Sequence, residues 1–291
     1  MAGVGAREIK RQIKSVNSTM QITKAMELVS TSKLKKNKDN MEKIKPFFLE
    51  VLNTVSDILS NKSLDKYDYM PRKEINNSLI VVITSDRGLC GGYNSNAIKL
   101  AESYAKTVKN AKLLTIGKKA TEYFSKRNYD VISSMSGISE APKYYDATAV
   151  AKYALNLYLK YEIDEIILVY TRMISSLSQV ATKINLIPVN IDDLSDYRTD
   201  SKKDKIKINY EPSAEVVMNY LVPKYVESVL YGALVEASAA EQASRRNAME
   251  SASKNAQELI DSLTLTYNQA RQGAITQEIN EIVGGANALE N

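Results

Sequence analysis

The sequence contains no histidine and a single cysteine, Cys90, among its 291 residues. Histidine is the side chain that most often transfers protons near neutral pH and most often binds zinc, copper or iron. Its absence excludes catalytic triads that use histidine, and neither a metal nor a cofactor is expected. A single cysteine excludes an internal disulfide and is typical of a protein of the reducing cytoplasm.

Long apolar runs are also missing. The longest, at residues 79–83 and 166–170, have the length of a strand, whereas a membrane-spanning helix needs about 20 apolar residues. Arg7, Lys10 and Arg11 interrupt the start of the chain, which argues against a secretory signal. The net charge of +5 comes without a basic patch interleaved with aromatic residues, so we expect no nucleic-acid partner.

Glycine is absent between Gly5 and Gly88, and apolar residues recur through the first part of this stretch at helical spacing. We predict one helix that begins after Gly5, bends at Pro46 and ends near Ser60. The apolar positions that carry this prediction are Ile9, Ile13, Val16, Met20, Ile22, Met26, Val29, Leu34, Met41, Ile44, Phe48, Val51, Val55 and Ile58.

The C-terminal part of the chain shows the same periodicity, and it predicts a helix over residues 224–283. A helix of about 60 residues is roughly 90 Å long and needs a partner, and the N-terminal helix is the other long one. Residues 1–45 carry eleven basic and four acidic side chains, a net +7, while residues 213–291 carry five basic and ten acidic, a net −5. Complementary charge favours pairing of the two helices.

An antiparallel pairing of these helices predicts that Gly5 lies opposite about residue 275. The last turns, with Ile275, Ile279 and Ile282, then extend beyond the pair. An exposed apolar surface of this kind is typical of an interaction site. The sequence therefore predicts a shaft whose far end is buried in another protein.

The middle of the chain alternates between strand and helix patterns, which predicts a largely parallel sheet. The fold class is thus an α/β domain inserted between two long terminal helices that form an antiparallel coiled coil. Ser175 and Ser176 separate two strands of an expected antiparallel hairpin. Predicted strands are 78–84, 111–117, 130–134, 165–171 and 180–189, and predicted helices are 95–109, 118–127 and 146–161. The predicted domains are 1–60 (helix), 61–77 (connection), 78–211 (α/β domain) and 212–291 (helix).

Gly88, Gly91 and Gly92 lie in the run SDRGLCGGYN, between a strand and a helix. Such a turn could hold a phosphate at the helix N-terminus, but the spacing matches neither GxGxxG nor GxxxxGK[ST]. A structural turn is the favoured interpretation, and a nucleotide site is the alternative. Cys90 within the turn is expected to be an inert thiol, although a nucleophile activated by Arg87 or the helix terminus is the other possibility.

Arg245 and Arg246 interrupt an Ala-rich and Ser-rich helical surface. They are either a solvent-exposed pair or a contact for acidic groups of a partner. The three aspartates at 192, 193 and 196 have no spacing typical of a calcium site.

Three runs together resemble the gamma subunit of F-type ATP synthases. They are ITKAMELVSTSKLKK at 22–36, TSDRGLCGGYN at 84–94 and YNQARQGAITQEINEIVGGANAL at 267–289. They occur in the order found in that family, so the resemblance extends over nearly the whole chain.

This resemblance implies a central rotor stalk without a catalytic site of its own. It implies three alpha subunits and three beta subunits around the helical pair. The implied partners of the α/β domain are an epsilon subunit and the membrane c-ring. Membrane association is then indirect, and the expected location is the cytoplasmic face of a bacterial membrane.

The resemblance also implies roles for individual residues. Arg271, Gln272, Thr276 and Glu278 correspond to residues that contact a loop of the beta subunit in relatives. Arg245 corresponds to one that meets an acidic segment of beta. Met26 lies where helix packing affects coupling. Two departures from the family are Arg246, where an apolar residue is common, and Gly273, where alanine is usual.

Two other classes of protein remain as alternatives. One is a nucleotide-binding α/β protein with coiled-coil arms, based on the SDRGLCGGYN turn. The other is a purely structural coiled-coil scaffold, which gives no role to an exposed apolar tip.

Overall fold

The computed structural model describes residues 2–60, 67–189 and 210–289. One long helix precedes a central α/β region in the sequence and another follows it, in agreement with the predicted fold class. In chain order the elements are α1 (Ala2–Ser60), β1 (Asn77–Ile83), α2 (Tyr93–Ala105), β2 (Asn110–Ile116), α3 (Lys118–Ser125), β3 (Asp130–Met135), α4 (Tyr144–Leu159), β4 (Glu165–Met173), β5 (Gln179–Ile187) and α5 (Ala214–Leu289).

The chain forms two compact units. Unit 1 comprises Met1–Ser30 and Arg246–Asn291, and unit 2 comprises Thr31–Arg245. The division into four domains predicted from the sequence stays a prediction. None of the helices in the described ranges is both long and apolar enough to cross a bilayer.

Unit 2 is built around a five-stranded sheet with the strand order β3-β2-β1-β4-β5. Strand β1 pairs in parallel with both β2 and β4, and β2 pairs in parallel with β3. The predicted hairpin is confirmed, because β5 runs antiparallel to β4. The amide of Ser175 closes the turn between them with a 3.0 Å hydrogen bond to the Ser178 carbonyl.

The central strands β1 and β4 are buried on both faces, which explains why they are nearly continuous apolar runs. Leu79, Val81 and Ile83 of β1 face one core, and the alternate residues Ile80 and Val82 face the other, as the two-residue period of a strand requires. The second core contains residues of α2 and α3. The first is larger, and it contains α4 together with the parts of α1 and α5 that belong to unit 2.

Helix α5 begins at Ala214, ten residues before the stretch 224–283 and inside the region 212–291 that was also predicted to be helical, and it continues through Pro223. Proline removes one hydrogen bond of the helix. Met218 and Val222, just before it, are fully buried in the core of unit 2, and their burial offsets that loss. Helix α1 begins at Ala2, before Gly5, and continues through Pro46.

Within unit 1 most of the half-buried and buried positions follow a seven-residue repeat on both helices. Steps of three and four residues alternate along each helix, which is the 3.5-residue period of a coiled coil. On α1 the positions are Ala6, Ile9, Ile13, Val16, Met20, Thr23, Glu27 and Ser30, and on α5 they are Met249, Ser253, Ala256, Ile260, Leu263, Tyr267, Ala270 and Ala274. We call these two sets the seam.

Three residues of the predicted apolar stripe lie outside the seam. Ile22 is 62% exposed, Val29 is 55% exposed, and Met26 is half-buried at its margin. The prediction from the sequence traced one continuous apolar stripe along α1 by allowing its helical phase to change. The seven-residue repeat instead gives the seam positions to Met20, Thr23 and Glu27.

Candidate functional site

The four residues implied to contact a beta subunit lie near the end of α5 in unit 1, and all four are exposed. Arg271 and Glu278 are seven residues apart and therefore lie on one face of the helix. Gln272 and Thr276 are four apart, and the Thr276 hydroxyl donates a 3.0 Å hydrogen bond to the Gln272 carbonyl. This part of α5 therefore presents a cation, an anion and an amide together.

The predicted apolar tip is present on the same segment. Seam positions end at Ala274, and each residue from 275 to 283 is exposed. Ile275, Ile279 and Ile282 are spaced by four and three residues, so they form a stripe along one face. A stripe of isoleucines open to water is typical of a surface that another protein covers.

Other apolar residues of unit 1 are also exposed, and the sequence interpretation did not identify them as a surface. They can be recognised as a surface only after the seven-residue repeat has identified the seam. Apolar residues outside the seam do not pack between the two helices. They are Ile22, Leu28 and Val29 on α1 and Leu259 and Leu265 on α5.

Met26 is half-buried, whereas its neighbour Ala25 is exposed. Met26 lies next to the seam residue Glu27, three residues from Thr23. Its thioether therefore lies at the margin of the seam, where a larger or charged side chain would disturb helix packing.

The glycine-containing turn belongs to unit 2 and connects β1 to α2. Gly91 has a φ of +54°, a conformation that favours glycine. Gly92 is the residue that precedes the first turn of α2, and no atom lies within 4 Å of the position where a Cβ of Gly88 would stand. The amide of Tyr93 donates a 3.2 Å hydrogen bond to the Cys90 carbonyl and so closes the turn.

Part of this turn contacts α5, while Gly88, Leu89, Gly91 and Gly92 are exposed. The Ser244 hydroxyl donates to the Cys90 carbonyl at 2.7 Å, and a Cβ on Gly91 would lie 3.4 Å from the same hydroxyl oxygen. Tyr93 and Cys90 are buried together with Ala240 of α5. These contacts favour the structural interpretation of the turn over the phosphate-binding alternative.

The Cys90 thiol is 2% exposed. Burial raises its pKa, and the opposing effects of the Ser85 hydrogen bond and the Arg245 charge do not overcome it. A thiol held in its protonated form is a poor nucleophile. Among the described residues, no group of three or more Cys, Asp and Glu side chains is placed to bind a metal ion.

Arg245 is buried in unit 2, so the alternative of a solvent-exposed arginine is wrong at this position. Its Nη1 donates to Glu241 Oε1 at 2.7 Å, and its Nη2 donates to the Gly88 carbonyl at 3.4 Å. Burial raises the pKa of Glu241, while the Arg245 charge acts in the opposite direction. Contact of Arg245 with a partner subunit stays a prediction.

The comparisons with known proteins agree on one family. The ATP synthase family profile matches residues 5–289. An ATP synthase gamma chain of Alkaliphilus metalliredigens is 46% identical over 99% of this chain and 100% of its own length. The sodium-ion-specific ATP synthase gamma chain of Acetobacterium woodii is 40% identical over 97% of this chain and 98% of its own.

Solved structures give the same result for the fold. A chain in the central stalk and c-ring structure of the Tetrahymena thermophila mitochondrial ATP synthase has a TM-score of 0.61 and 30% identity, covering 80% of this chain and 99% of that one. A chain of the Euglena gracilis mitochondrial ATP synthase has a TM-score of 0.66 and 21% identity, covering 99% and 95%. The chain therefore belongs, over nearly its whole length, to the gamma chain family of ATP synthases.

Proposed function

We propose that the chain is the central rotor stalk of an F-type ATP synthase. It couples ion flow through a membrane c-ring to ATP synthesis or hydrolysis in catalytic beta subunits. The observation that carries this proposal is the exposed apolar stripe Ile275, Ile279 and Ile282 at the end of a coiled-coil helix. Gamma chains of Alkaliphilus metalliredigens and Desulforamulus reducens, matched over 100% and 99% of their length, support it.

The partners follow from the assemblies in which the similar structures occur. Those assemblies are named as a central stalk with its c-ring and as F1 with its c-ring. We infer three alpha and three beta subunits around the helical pair, and an epsilon subunit and the c-ring at the α/β domain. The chain is a peripheral protein on the cytoplasmic face of a bacterial membrane, attached through the c-ring.

The chain itself performs no chemistry in this proposal. A rotating shaft acts as a ligand that each beta subunit binds differently at each angle. It can change a nucleotide affinity only by the difference between its binding free energies for the two conformations of that subunit. Exposed charged and apolar groups on one helix face supply such differences, because they meet a given partner surface at some angles and not at others.

Arg271, Gln272, Thr276 and Glu278 are the residues that we assign to contact with beta subunits, and their exposure on one segment of α5 supports the assignment. Arg245 is a further candidate contact, although its guanidinium binds Glu241 in the chain alone. Met26 affects coupling through helix packing at the margin of the seam.

Reconstitution tests the proposal. The chain is mixed with the alpha and beta subunits of the same organism, and each size-exclusion peak is assayed for ATP hydrolysis. We expect one peak with one copy of this chain, three alpha and three beta subunits, and more activity than any component alone. Separate elution of the chain would overturn the proposal, and nucleotide binding by the chain alone would favour the alternative of a nucleotide-binding α/β protein.

A further inference from the structure

The turn after β1 is attached to α5 through the carbonyl groups of its own backbone. Ser244 binds the Cys90 carbonyl at 2.7 Å, and Arg245 binds the Gly88 carbonyl at 3.4 Å. Both donors are neighbours in the last turn of α5 that belongs to unit 2. The α/β domain is therefore fixed to α5 where this helix leaves unit 2.

Glu241 fixes the position of Arg245. The two side chains form an ion pair at 2.7 Å, and they are 8% and 1% exposed. In a buried pair of this kind the guanidinium loses most of its rotational freedom, because any other rotamer would leave the carboxylate unpaired. The ion pair therefore orients the Arg245 guanidinium toward the Gly88 carbonyl of the turn.

Helix α1 is attached to the same region through Glu140. Lys33 Nζ donates to Glu140 Oε2 at 2.8 Å, and Arg87 Nε lies 3.6 Å from Glu140 Oε1. Glu140 thus links α1 to the residue that precedes Gly88. The hydrogen bond from Lys33 lowers the pKa of the Glu140 carboxyl, so the carboxylate is charged at neutral pH.

The loop that carries Glu140 is itself bound to the segment before the turn. Asp86 Oδ2 accepts a 2.8 Å hydrogen bond from the Gly137 amide and a 3.3 Å hydrogen bond from the Ser139 hydroxyl. Asp86 Oδ1 accepts a 3.0 Å hydrogen bond from the Lys118 amide at the start of α3. The loops that follow the carboxyl ends of β1 and β3 are therefore held together, and both long helices bind to them.

We propose that these groups form a clamp that transmits torque between the α/β domain and the two long helices. The clamp comprises the segment 86–92 with Lys33, Glu140, Glu241, Ser244 and Arg245. Within it, Arg245 is a positioning residue that acts on the turn through Gly88. The inference rests on the proposed rotor function, and it adds a polar site, beside the apolar core, through which rotation of the domain is passed to the helices.

A double variant tests the clamp with little change in side-chain volume. Glu140→Gln removes the charge that binds Lys33 and Arg87, and Ser244→Ala removes the bond to Cys90. In the reconstituted complex with its c-ring, we expect assembly and unloaded ATP hydrolysis at wild-type levels. Rotation against a viscous load should slow several-fold, and fewer ions should be pumped per ATP, because the helices then hold the domain through their apolar packing alone and the attachment is more compliant.

The matched control removes equivalent groups outside the clamp. Glu122→Gln loses the exposed ion pair with Lys119, and Ser103→Ala loses a hydroxyl bond to the Leu100 carbonyl. The control should rotate under load like the wild type. Identical load dependence for the clamp variant and the wild type would overturn the clamp alone, whereas failure of the wild-type chain to assemble would instead overturn the proposed rotor function.

A double-mutant cycle separates the positioning role of Arg245 from contact with a partner. Loaded rotation is measured for Glu241→Gln, for Arg245→Gln and for both together. If Arg245 acts through Glu241 on the turn, the double variant should lose no more than the larger single loss. Additive losses would show that Arg245 acts independently of Glu241, and would overturn its place in the clamp.

Discussion

The hydroxyl groups of Thr23 and Ser253 lie 2.7 Å apart in the seam of unit 1. The Thr23 hydroxyl also donates a 2.9 Å hydrogen bond to the Met20 carbonyl of its own helix. A polar pair among apolar seam residues makes one alignment of two helices better than those shifted along the axis. This pair therefore specifies the register of α1 against α5.

Replacing one member of this pair should destabilise the chain. Ser253→Ala leaves the Thr23 oxygen without its partner, and we expect the free energy of unfolding to fall by about 1 kcal/mol. Urea unfolding followed by circular dichroism measures the change. Ser262→Ala, at an exposed position of the same helix, is the control and should leave the unfolding curve unchanged. A Ser253→Ala curve that coincides with the wild type would show that the pair does not hold the register.

Removing the exposed cation of α5 should weaken assembly without unfolding the chain. A hydrogen bond to a charged group contributes ~1.5–3 kcal/mol, so Arg271→Ala should weaken binding to the alpha and beta subunits by about tenfold or more. Gln272→Ala should have a smaller effect in the same direction. Binding is measured by titration of labelled chain into the other subunits.

The control for these variants is Lys254→Ala, which removes an exposed cation farther from the tip. It should bind like the wild type. Equal affinities for Arg271→Ala and the wild type would remove Arg271 from the contact surface and leave the exposed isoleucines as its basis.

A charge at the margin of the seam should reduce coupling. Met26→Lys places an ammonium group where the thioether is half-buried, at a cost on the order of 1 kcal/mol in the free energy of unfolding. We expect ATP hydrolysis to continue while fewer ions are pumped per ATP. Ala25→Lys adds the same charge at an exposed neighbouring position and should pump normally. Equal pumping by the two variants would contradict a role for Met26.

Stability at high pH should depend on Tyr144. Burial and then its 2.9 Å hydrogen bond to Glu227 raise the pKa of this phenol from 10 to about 12. The folded state therefore keeps a proton that the unfolded state releases, so the contribution of Tyr144 is complete below pH 10 and decreases as the pH rises toward about 12.

Tyr144→Phe tests this dependence. The difference in unfolding free energy between wild type and variant should shrink as the pH increases through that range. Tyr145→Phe, at an adjacent residue that is 77% exposed, is the control. A difference between wild type and Tyr144→Phe that is constant with pH would contradict the shifted titration.

Much of the fold could be predicted from the sequence because strands buried on both faces are short apolar runs. Residues 79–83 are an example, and each predicted strand and its observed counterpart overlap. Continuity of the helix through Pro223 could not be decided in this way. Whether a helix continues through proline depends on the burial of its neighbours, which is a property of the tertiary structure.

The candidate site shows the same limit. The exposed tip could be predicted, because it needed only the lengths of two helices and their pairing. The burial of Arg245 could not, although Glu241 stands at the i−4 position that favours a helical ion pair. An arginine with a carboxylate four residues earlier is compatible with an exposed helix face or with a buried one, and Gly88, whose carbonyl it binds, is 157 residues away in the sequence.

The seven-residue repeat of unit 1 also has a mechanical consequence. Helices that keep a 3.5-residue period wind around each other in a left-handed sense. Torque in one direction overwinds such a pair, and torque in the other direction unwinds it. We therefore expect this part of the chain to be stiffer under torque of one sign, so that its elastic response differs between clockwise and counterclockwise rotation.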